Sequence, residues 1–243
     1  MIDTSKRSLL KAVSWKIIGF FIIFLLSYVV TKSLEKTFFV ALTYHFMMLC
    51  LFYVHEKIWN RIKWGKTSGL FIQMTGLSGA GKTTLATMVS KRLSEKGILV
   101  EVIDGDEYRN EVCSDLGFSK EDRKENIKRL SFIGKVLGRN NVVCIMSAIN
   151  PYDSTRKKVK ESIPDSRLVY IKCDLEETIR RDTKGLYQRA LLPSGHRDHI
   201  PNFTGITDSF DEPKNVDLVI ETGIMSIDSC VKKLEKYIIK QIE

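Results

Sequence analysis

Residues 76–84 read Gly76-Leu77-Ser78-Gly79-Ala80-Gly81-Lys82-Thr83-Thr84, and this stretch decides the fold. It satisfies G-x-x-x-x-G-K-[ST] at every fixed position, the spacing of a phosphate-binding loop. The glycines let the backbone turn successive N–H groups toward crowded phosphate oxygens. Lys82 is placed to reach the β- and γ-phosphates, and the Thr83 hydroxyl to ligate Mg²⁺. Leu70-Phe71-Ile72-Gln73-Met74 before the loop reads as a buried strand, and Thr84 to Val89 after it opens a helix. The positive end of that helix then faces the anion. The implied ligand is a nucleoside triphosphate with its magnesium.

Working outward, strand and helix patterns alternate. Strands are predicted at 70–75, 98–103, 142–147, 167–173 and 217–221, and helices at 82–96, 107–113, 120–138, 153–162, 175–183 and 226–241. The strands are Val- and Ile-rich and nearly continuous in apolarity, as in a parallel sheet buried on both faces. The expected fold is a three-layer α/β nucleotide-binding domain with a mostly parallel five-stranded sheet. Ligands in such a fold sit at the C-terminal ends of the strands.

Those strand ends carry the candidate chemistry. The second strand runs into Asp104-Gly105-Asp106, with Arg109 following. Two acids beside a phosphate loop can orient a metal or accept a proton from an attacking hydroxyl. Ser119-Lys120-Glu121-Asp122 resembles a capping box at a helix start. Arg123 and Asn126 then share one face of that helix at i, i+3. Periodicity fails from about 184 to 205, a length that points to a functional lid. Lys184 and Arg189 in it are placed to close over phosphates. His196 and His199 read as plain surface histidines.

The net charge of +9 is unevenly spread. Residues 1–67 hold ten Lys/Arg against three acids, giving +7; the other 176 residues hold 28 against 26, giving +2. The soluble part is nearly neutral, which argues against a nucleic-acid partner. The segment 12–31 has one charge, Lys16, and 37–54 has only His45 as an ionisable side chain. Twenty residues of helix span about 30 Å, the hydrocarbon thickness of a bilayer. Lys6, Arg7, Lys11 and Lys16 precede the pair, and Lys57, Arg61, Lys63 and Lys66 follow it. The positive-inside rule then puts both ends in the cytoplasm, with a hairpin crossing the cytoplasmic membrane twice. A cleaved signal peptide does not fit, because no small-residue cleavage site follows the first run and a second run does. Lone His45 is read as part of an anchor rather than a transport path. The five cysteines have no C-x-x-C spacing, so reduced thiols are expected. The expected division is a membrane hairpin over 1–66 and a nucleotide-binding domain over 68–243.

The soluble part resembles the adenylylsulfate kinase (APS kinase) family. The matching runs are 76–84, Asp-Gly-Asp-x-x-Arg at 104–109, Cys-Ser-Asp-Leu-Gly-Phe-Ser at 113–119 and Asp-Arg-Lys-Glu-Asn-Ile at 122–127. Lys-Gly-Leu-Tyr at 184–187 and Asn-Phe-Thr-Gly-Ile at 202–206 complete the set, in family order. The resemblance covers about residues 68–240 and implies a P-loop kinase. Its reaction moves the ATP γ-phosphate to the ribose 3′-hydroxyl of adenosine 5′-phosphosulfate. By the family pattern Lys82, Asp104 and Asp106 are catalytic, with Thr83 and Asp104 toward Mg²⁺. Arg109, Arg123 and Asn126 are implied to hold the phosphosulfate and ribose, and Phe118 and Phe203 to sandwich the adenine. Ile149, Lys184 and Leu186 complete the implied acceptor site. The resemblance also admits a homodimer and an ATP sulfurylase that supplies the acceptor. Residues 6–65 resemble a small bacterial two-helix membrane domain of unassigned function.

Two departures from the family pattern stand out. Ile149-Asn150-Pro151 replaces the usual Ile-Ser-Pro, so a phosphoserine at that position is excluded. The lid is longer by about five residues around Pro193 to His199 than the family pattern implies. Two rival readings are a kinase for another nucleotide-like acceptor and a non-catalytic ATP-binding module. The first keeps the fold and draws on Asn150 and the long lid; the second conflicts with the intact Lys82, Thr83, Asp104 and Asp106. A GTPase is disfavoured by the lack of Asn-Lys-x-Asp.

Overall fold

In the computed structural model the described residues are 5–30, 34–62 and 68–242. The chain divides into two compact units, Ile2–Thr67 and Ser68–Ile242.

The first unit is a pair of helices, α1 (Ser5–Val30) and α2 (Leu34–Arg61). α1 begins before the predicted 12–31, and α2 runs past the predicted 37–54 at both ends, because polar residues there continue the helix. Among the described residues, several contacts join the ends rich in charge. Trp15 meets Phe52 edge-on at 5.0 Å. Lys11 pairs with Glu56 at 3.1 Å. Arg7 is buried and donates to the carbonyls of Trp59 and Ile62, which supplies partners to the end of α2. Leu9, Leu10, Val13, Ile17 and Phe21 on α1 and Phe46, Leu49 and Tyr53 on α2 are exposed. Among the described residues no helix is long and apolar enough to cross a membrane. Much of the two predicted spans, including the side chains of 20, 23–25, 27, 28, 30, 34–42 and 45, lies outside the described residues.

The second unit is built on five strands: β1 (Leu70–Thr75), β2 (Val100–Asp104), β3 (Val143–Ser147), β4 (Arg167–Lys172) and β5 (Leu218–Glu221). Their order is β2-β3-β1-β4-β5, and every pair is parallel. The helices are α3 (Lys82–Glu95), α4 (Gly105–Glu111), α5 (Lys120–Arg139), α6 (Asp153–Ser162), α7 (Leu175–Arg181), α8 (Leu186–Ala190) and α9 (Ile227–Ile242).

Period-two alternation sorts β1 between two cores. Leu70, Ile72 and Met74 join Leu85, Val89 and Leu93 of α3 and Val231, Leu234 and Ile238 of α9. Phe71 points the other way, to Ile127 and Leu130 of α5 and Met146 of β3. All six residues of β1 and all five of β3 are buried, as continuous apolarity predicts. Gly134 lets α5 lie on the sheet, since a Cβ there would stand 2.1 Å from Phe71 Cε2.

The stretch 184–205 is more ordered than the lost periodicity implied. It contains α8, and Tyr187, Ala190 and Phe203 form a small core with Leu175, Ile179 and Ile206. Asp182 starts α8 by accepting from Tyr187 N at 3.0 Å and Gln188 N at 2.9 Å. A five-residue helix is too short to show a 3.6 period.

Candidate active site

The phosphate loop leaves the central strand, so it is flanked on both sides. Gly76 has φ 151°, and a Cβ on it would lie 2.4 Å from the Ile171 carbonyl oxygen. Only glycine fits there. Gly76 N donates to Ile149 O at 3.3 Å, which ties the loop start to the exit of β3. Ala80 is buried under the loop, and its carbonyl accepts from Thr222 Oγ1 at 2.8 Å.

Lys82 opens α3 and is folded back onto its own loop. Its Nζ donates to Gly76 O at 2.9 Å and Leu77 O at 2.7 Å. Burial pushes its pKa down to about 8, against the opposing pull of the Asp106 and Asp104 carboxylates. Thr83 Oγ1 donates to Asp104 Oδ2 at 2.7 Å and lies 3.2 Å from Ser147 Oγ. These three oxygens are the hard donors that Mg²⁺ prefers. Ser147, at the end of β3, joins them without any sequence signal beyond its strand-end position.

Asp104 also caps α4, accepting from Asp106 N at 2.9 Å and Glu107 N at 3.3 Å. The exposed Asp106 carboxylate meets the lid, where Lys184 Nζ stands 2.5 Å from Oδ2.

Beside these acids Arg109 of α4 and Arg123 in the first turn of α5 stack on one ring, that of Phe118 just before α5. Ser119 caps α5, accepting from Asp122 N at 3.1 Å; its hydroxyl donates to Asp122 Oδ2 at 2.8 Å, so the acid reaches back to the hydroxyl rather than to the main chain. Arg109 Cζ lies 4.7 Å and Arg123 Cζ 5.5 Å from the centroid of Phe118. Arg109 donates to Gly117 O at 2.7 Å, and Arg123 to Phe118 O at 3.2 Å and Asn202 O at 2.7 Å. Burial first, and the like charge of Arg123 second, lower the Arg109 pKa. Asn126 is 4% exposed, and its Oδ1 has no partner among the described residues. A buried acceptor left unpaired is a place for a ligand hydroxyl.

One cleft of about 1160 Å³ joins these groups. The loop residues Ser78, Gly79, Gly81, Lys82, Thr83 and Thr84 border it, with Asp104, Asp106, Arg109, Phe118, Arg123 and Asn126 on the β2–β3 side. Ile149, Lys184, Leu186 and Phe203 border it too. Phe118 is 56% exposed, whereas Phe203 is largely sunk in the lid core, edge-on to Tyr187 at 4.9 Å. Both rings reach the cleft, but from different environments.

Other groups escaped sequence reasoning. Tyr187 Oη donates to Ser78 O at 3.0 Å and so fastens the lid core to the phosphate loop. Arg181, Thr222, Met225, Ser226 and Ile227 border the cleft on the β4–β5 side. For Thr222 to Ile227 the one available signal was position just past a strand end, and Arg181, at the end of α7, had none. His199, read as a surface histidine, borders the cleft instead, with Nδ1 buried and unpartnered among the described residues. His196 is exposed, as expected.

Asn150 sits in the left-handed region at φ 43°, which asparagine tolerates better than most residues. Its Nδ2 donates to Gln73 Oε1 at 3.1 Å inside the protein. Cys113, Cys144, Cys173 and Cys230 are buried free thiols, and Cys50 is an exposed one.

Comparison with known proteins gives two family matches. The family described as adenylylsulphate kinase matches residues 68–221, and that described as predicted membrane protein (DUF2061) matches residues 9–60. A probable adenylyl-sulfate kinase of Pseudomonas aeruginosa is 42% identical over 166 residues, which cover 68% of this chain and 75% of the relative. An adenylyl-sulfate kinase of Chloroflexus aurantiacus is 42% identical over 167 residues, covering 69% and 87%. Among solved structures, the APS kinase of Mycobacterium tuberculosis in complex with AMPPNP and APS superposes with a TM-score of 0.65 at 35% identity. That match covers 72% of this chain and 99% of the other.

Proposed function

The chain belongs to the adenylylsulphate kinase family, and from that premise we propose how its residues carry the family's reaction. The protein is an ATP-dependent phosphotransferase that converts adenosine 5′-phosphosulfate and ATP to 3′-phosphoadenosine 5′-phosphosulfate and ADP. Support for the residue roles comes from one observation: a single cleft is bordered by the phosphate loop, the Asp104–Asp106 pair and the Arg109–Phe118–Arg123 stack.

In this reading ATP lies along the loop with its base toward Arg181, Thr222 and Ile227. The acceptor takes the opposite bank. Arg109 and Arg123 neutralise its phosphosulfate, Phe118 and Phe203 flank its adenine, and Asn126 Oδ1 accepts from a ribose hydroxyl. Ile149, Lys184 and Leu186 close the subsite. Asp106 orients the 3′-hydroxyl and takes its proton as the oxygen attacks the γ-phosphorus. The bond to the β–γ bridging oxygen breaks, and ADP leaves. Lys82 leaves its loop carbonyls for the β- and γ-phosphates and stabilises the charge of the transferring group. Thr83, Asp104 and Ser147 would hold the Mg²⁺ that accompanies ATP and neutralises its phosphate charge. The amide at position 150 rules out a phosphoserine there, and direct in-line transfer needs none.

The N-terminal unit is read as a membrane anchor with both ends in the cytoplasm. The apolar runs, the flanking Lys/Arg and the match to a predicted membrane protein support this. Self-association as a homodimer and supply of the acceptor by an ATP sulfurylase belong to the same proposal.

The deciding test incubates the full chain in mild detergent with ATP, Mg²⁺ and adenosine 5′-phosphosulfate and follows the 3′-phosphorylated product by chromatography. Product that depends on all three reactants is expected. ATP binding without product would overturn the assignment of the acceptor.

A further inference from the structure

Arg123 is central to the acceptor bank, yet the residue that steadies its charge lies 85 positions further along the chain. Asp208 Oδ2 stands 3.8 Å from Arg123 Nε. The same oxygen accepts from Tyr152 Oη at 2.5 Å. Arg123, Tyr152 and Asp208 all have little exposed surface, with side chains 10% exposed for Arg123 and 19% for Asp208. A carboxylate in such a place acts with less screening than one at the surface.

Asp208 also closes the turn that carries Phe203. Its N–H donates to Phe203 O at 3.0 Å, and its carbonyl accepts from Gly205 N at 2.8 Å. Phe203 N in turn donates to Thr207 Oγ1 at 2.8 Å. The next residue of this turn region that reaches back, Asp211, is tied by three bonds to the exit loop of β3 and to the first turn of α6 that follows it. Asp211 N donates to Pro151 O at 2.9 Å, Asp153 N to Asp211 Oδ2 at 3.0 Å, and buried Arg156 Nη2 to Asp211 O at 2.6 Å. Arg156 simultaneously donates to the carbonyls of Asn150 and Pro151, each at 3.0 Å. The β3 exit loop is therefore the fixed frame, and Tyr152 is the arm by which it holds the Asp208 carboxylate. Burial, with the neighbouring Asp208 adding to it, raises the Tyr152 pKa, so the hydroxyl stays a proton donor.

We propose that Asp208, held by Tyr152, is a positioning residue of the acceptor subsite: it orients the Arg123 guanidinium and closes the turn bearing Phe203, and so sets acceptor affinity without touching the acceptor. The proposal rests on the assignment of Arg123 and Phe203 to the acceptor. The competing role is a plain turn staple. Asp208→Asn tests the charge: the amide oxygen can still accept from Tyr152 and the Asp208 main-chain bonds of the turn remain, while the charge goes together with the bond that Ser209 N makes to Oδ1 at 2.9 Å. Tyr152→Phe does the reverse, keeping the charge and removing its support.

The test uses the full chain in detergent. For Asp208→Asn the KM for adenosine 5′-phosphosulfate should rise about five- to tenfold, as for loss of one partly buried charge contact, with the KM for ATP within about twofold of wild type. Tyr152→Phe should move the same constant in the same direction by less. Combined with Arg123→Lys, the Asp208→Asn effect should shrink, since both act through one guanidinium. An unchanged acceptor KM, equal rises for both substrates, or full additivity with Arg123→Lys would overturn the proposal. Hydrogen exchange without substrate gives a second readout. Peptides covering 118–126 as well as 202–209 should exchange faster in Asp208→Asn, whereas a turn staple would alter only 202–209. If wild-type protein makes no product from this acceptor, the assigned reaction fails, and the exchange result still decides the role of Asp208.

Discussion

At Lys82, burial and charge pull in opposite directions, and burial wins. The ammonium is sealed against two loop carbonyls and titrates near 8. Its folded pKa lies below the ordinary lysine value of 10.5, so between about 8 and 10.5 the unfolded chain binds more protons than the folded one. The contribution of this group to stability therefore rises with pH across that window and is least favourable below it. Triphosphate beside the ammonium restores the charged form. Calorimetry of ATP binding near pH 8.5, in buffers of different ionisation enthalpy, should show proton uptake that fades toward pH 6.5. Lys82→Ala should abolish the uptake and lower kcat by about 10²–10³, the usual scale for losing one preorganised charge donor. That Gly76 to Thr84 and the Asp104-Gly105-Asp106 turn border one cleft was legible in sequence, because each is a short local run at a strand end. Ser147, Tyr187 and Asp208 were not, because their partners are 64, 109 and 56 positions away.

Among elements, the lid and α5 show opposite kinds of legibility. α5 declared itself through a capping residue and a buried stripe, and its observed span, Lys120–Arg139, is one residue longer than the predicted 120–138. What the sequence could not tell was why residue 134 had to be small. Gly134→Ala should force the Phe71 ring or the helix to move and destabilise the fold by about 1–3 kcal/mol, readable as a lower midpoint in urea. The lid hid its helix because α8 is one turn and a half long and is started by Asp182 rather than by an adjacent cap. Tyr187→Phe removes the hydroxyl bonded to Ser78 O and leaves the lid core otherwise intact. The KM for ATP should rise about threefold or more, on the scale of one neutral hydrogen bond, while acceptor KM changes less.

For the whole molecule, charge is divided unevenly between the two stretches of sequence, since +7 of the +9 belongs to residues 1–67. The sheet order was not legible, because strand patterns carry no record of which neighbour each strand takes. On the anchor reading, full-length protein should stay with the membrane fraction through alkaline carbonate and leave it only with detergent. A fragment from Ser68 should be soluble and retain turnover. Release of the full chain by carbonate alone would rule out spanning helices.

Placing the phosphate loop on the middle strand of β2-β3-β1-β4-β5 has a consequence for descent. The bank assigned to the acceptor is written largely in residues 104–126, and the bank assigned to the ATP base largely in 181–230, with the lid reaching across both. Substitutions can accumulate in one bank while the other continues to receive the same nucleotide. A gene duplicate of this scaffold can therefore take a new acceptor without rebuilding the side that receives the phosphate donor.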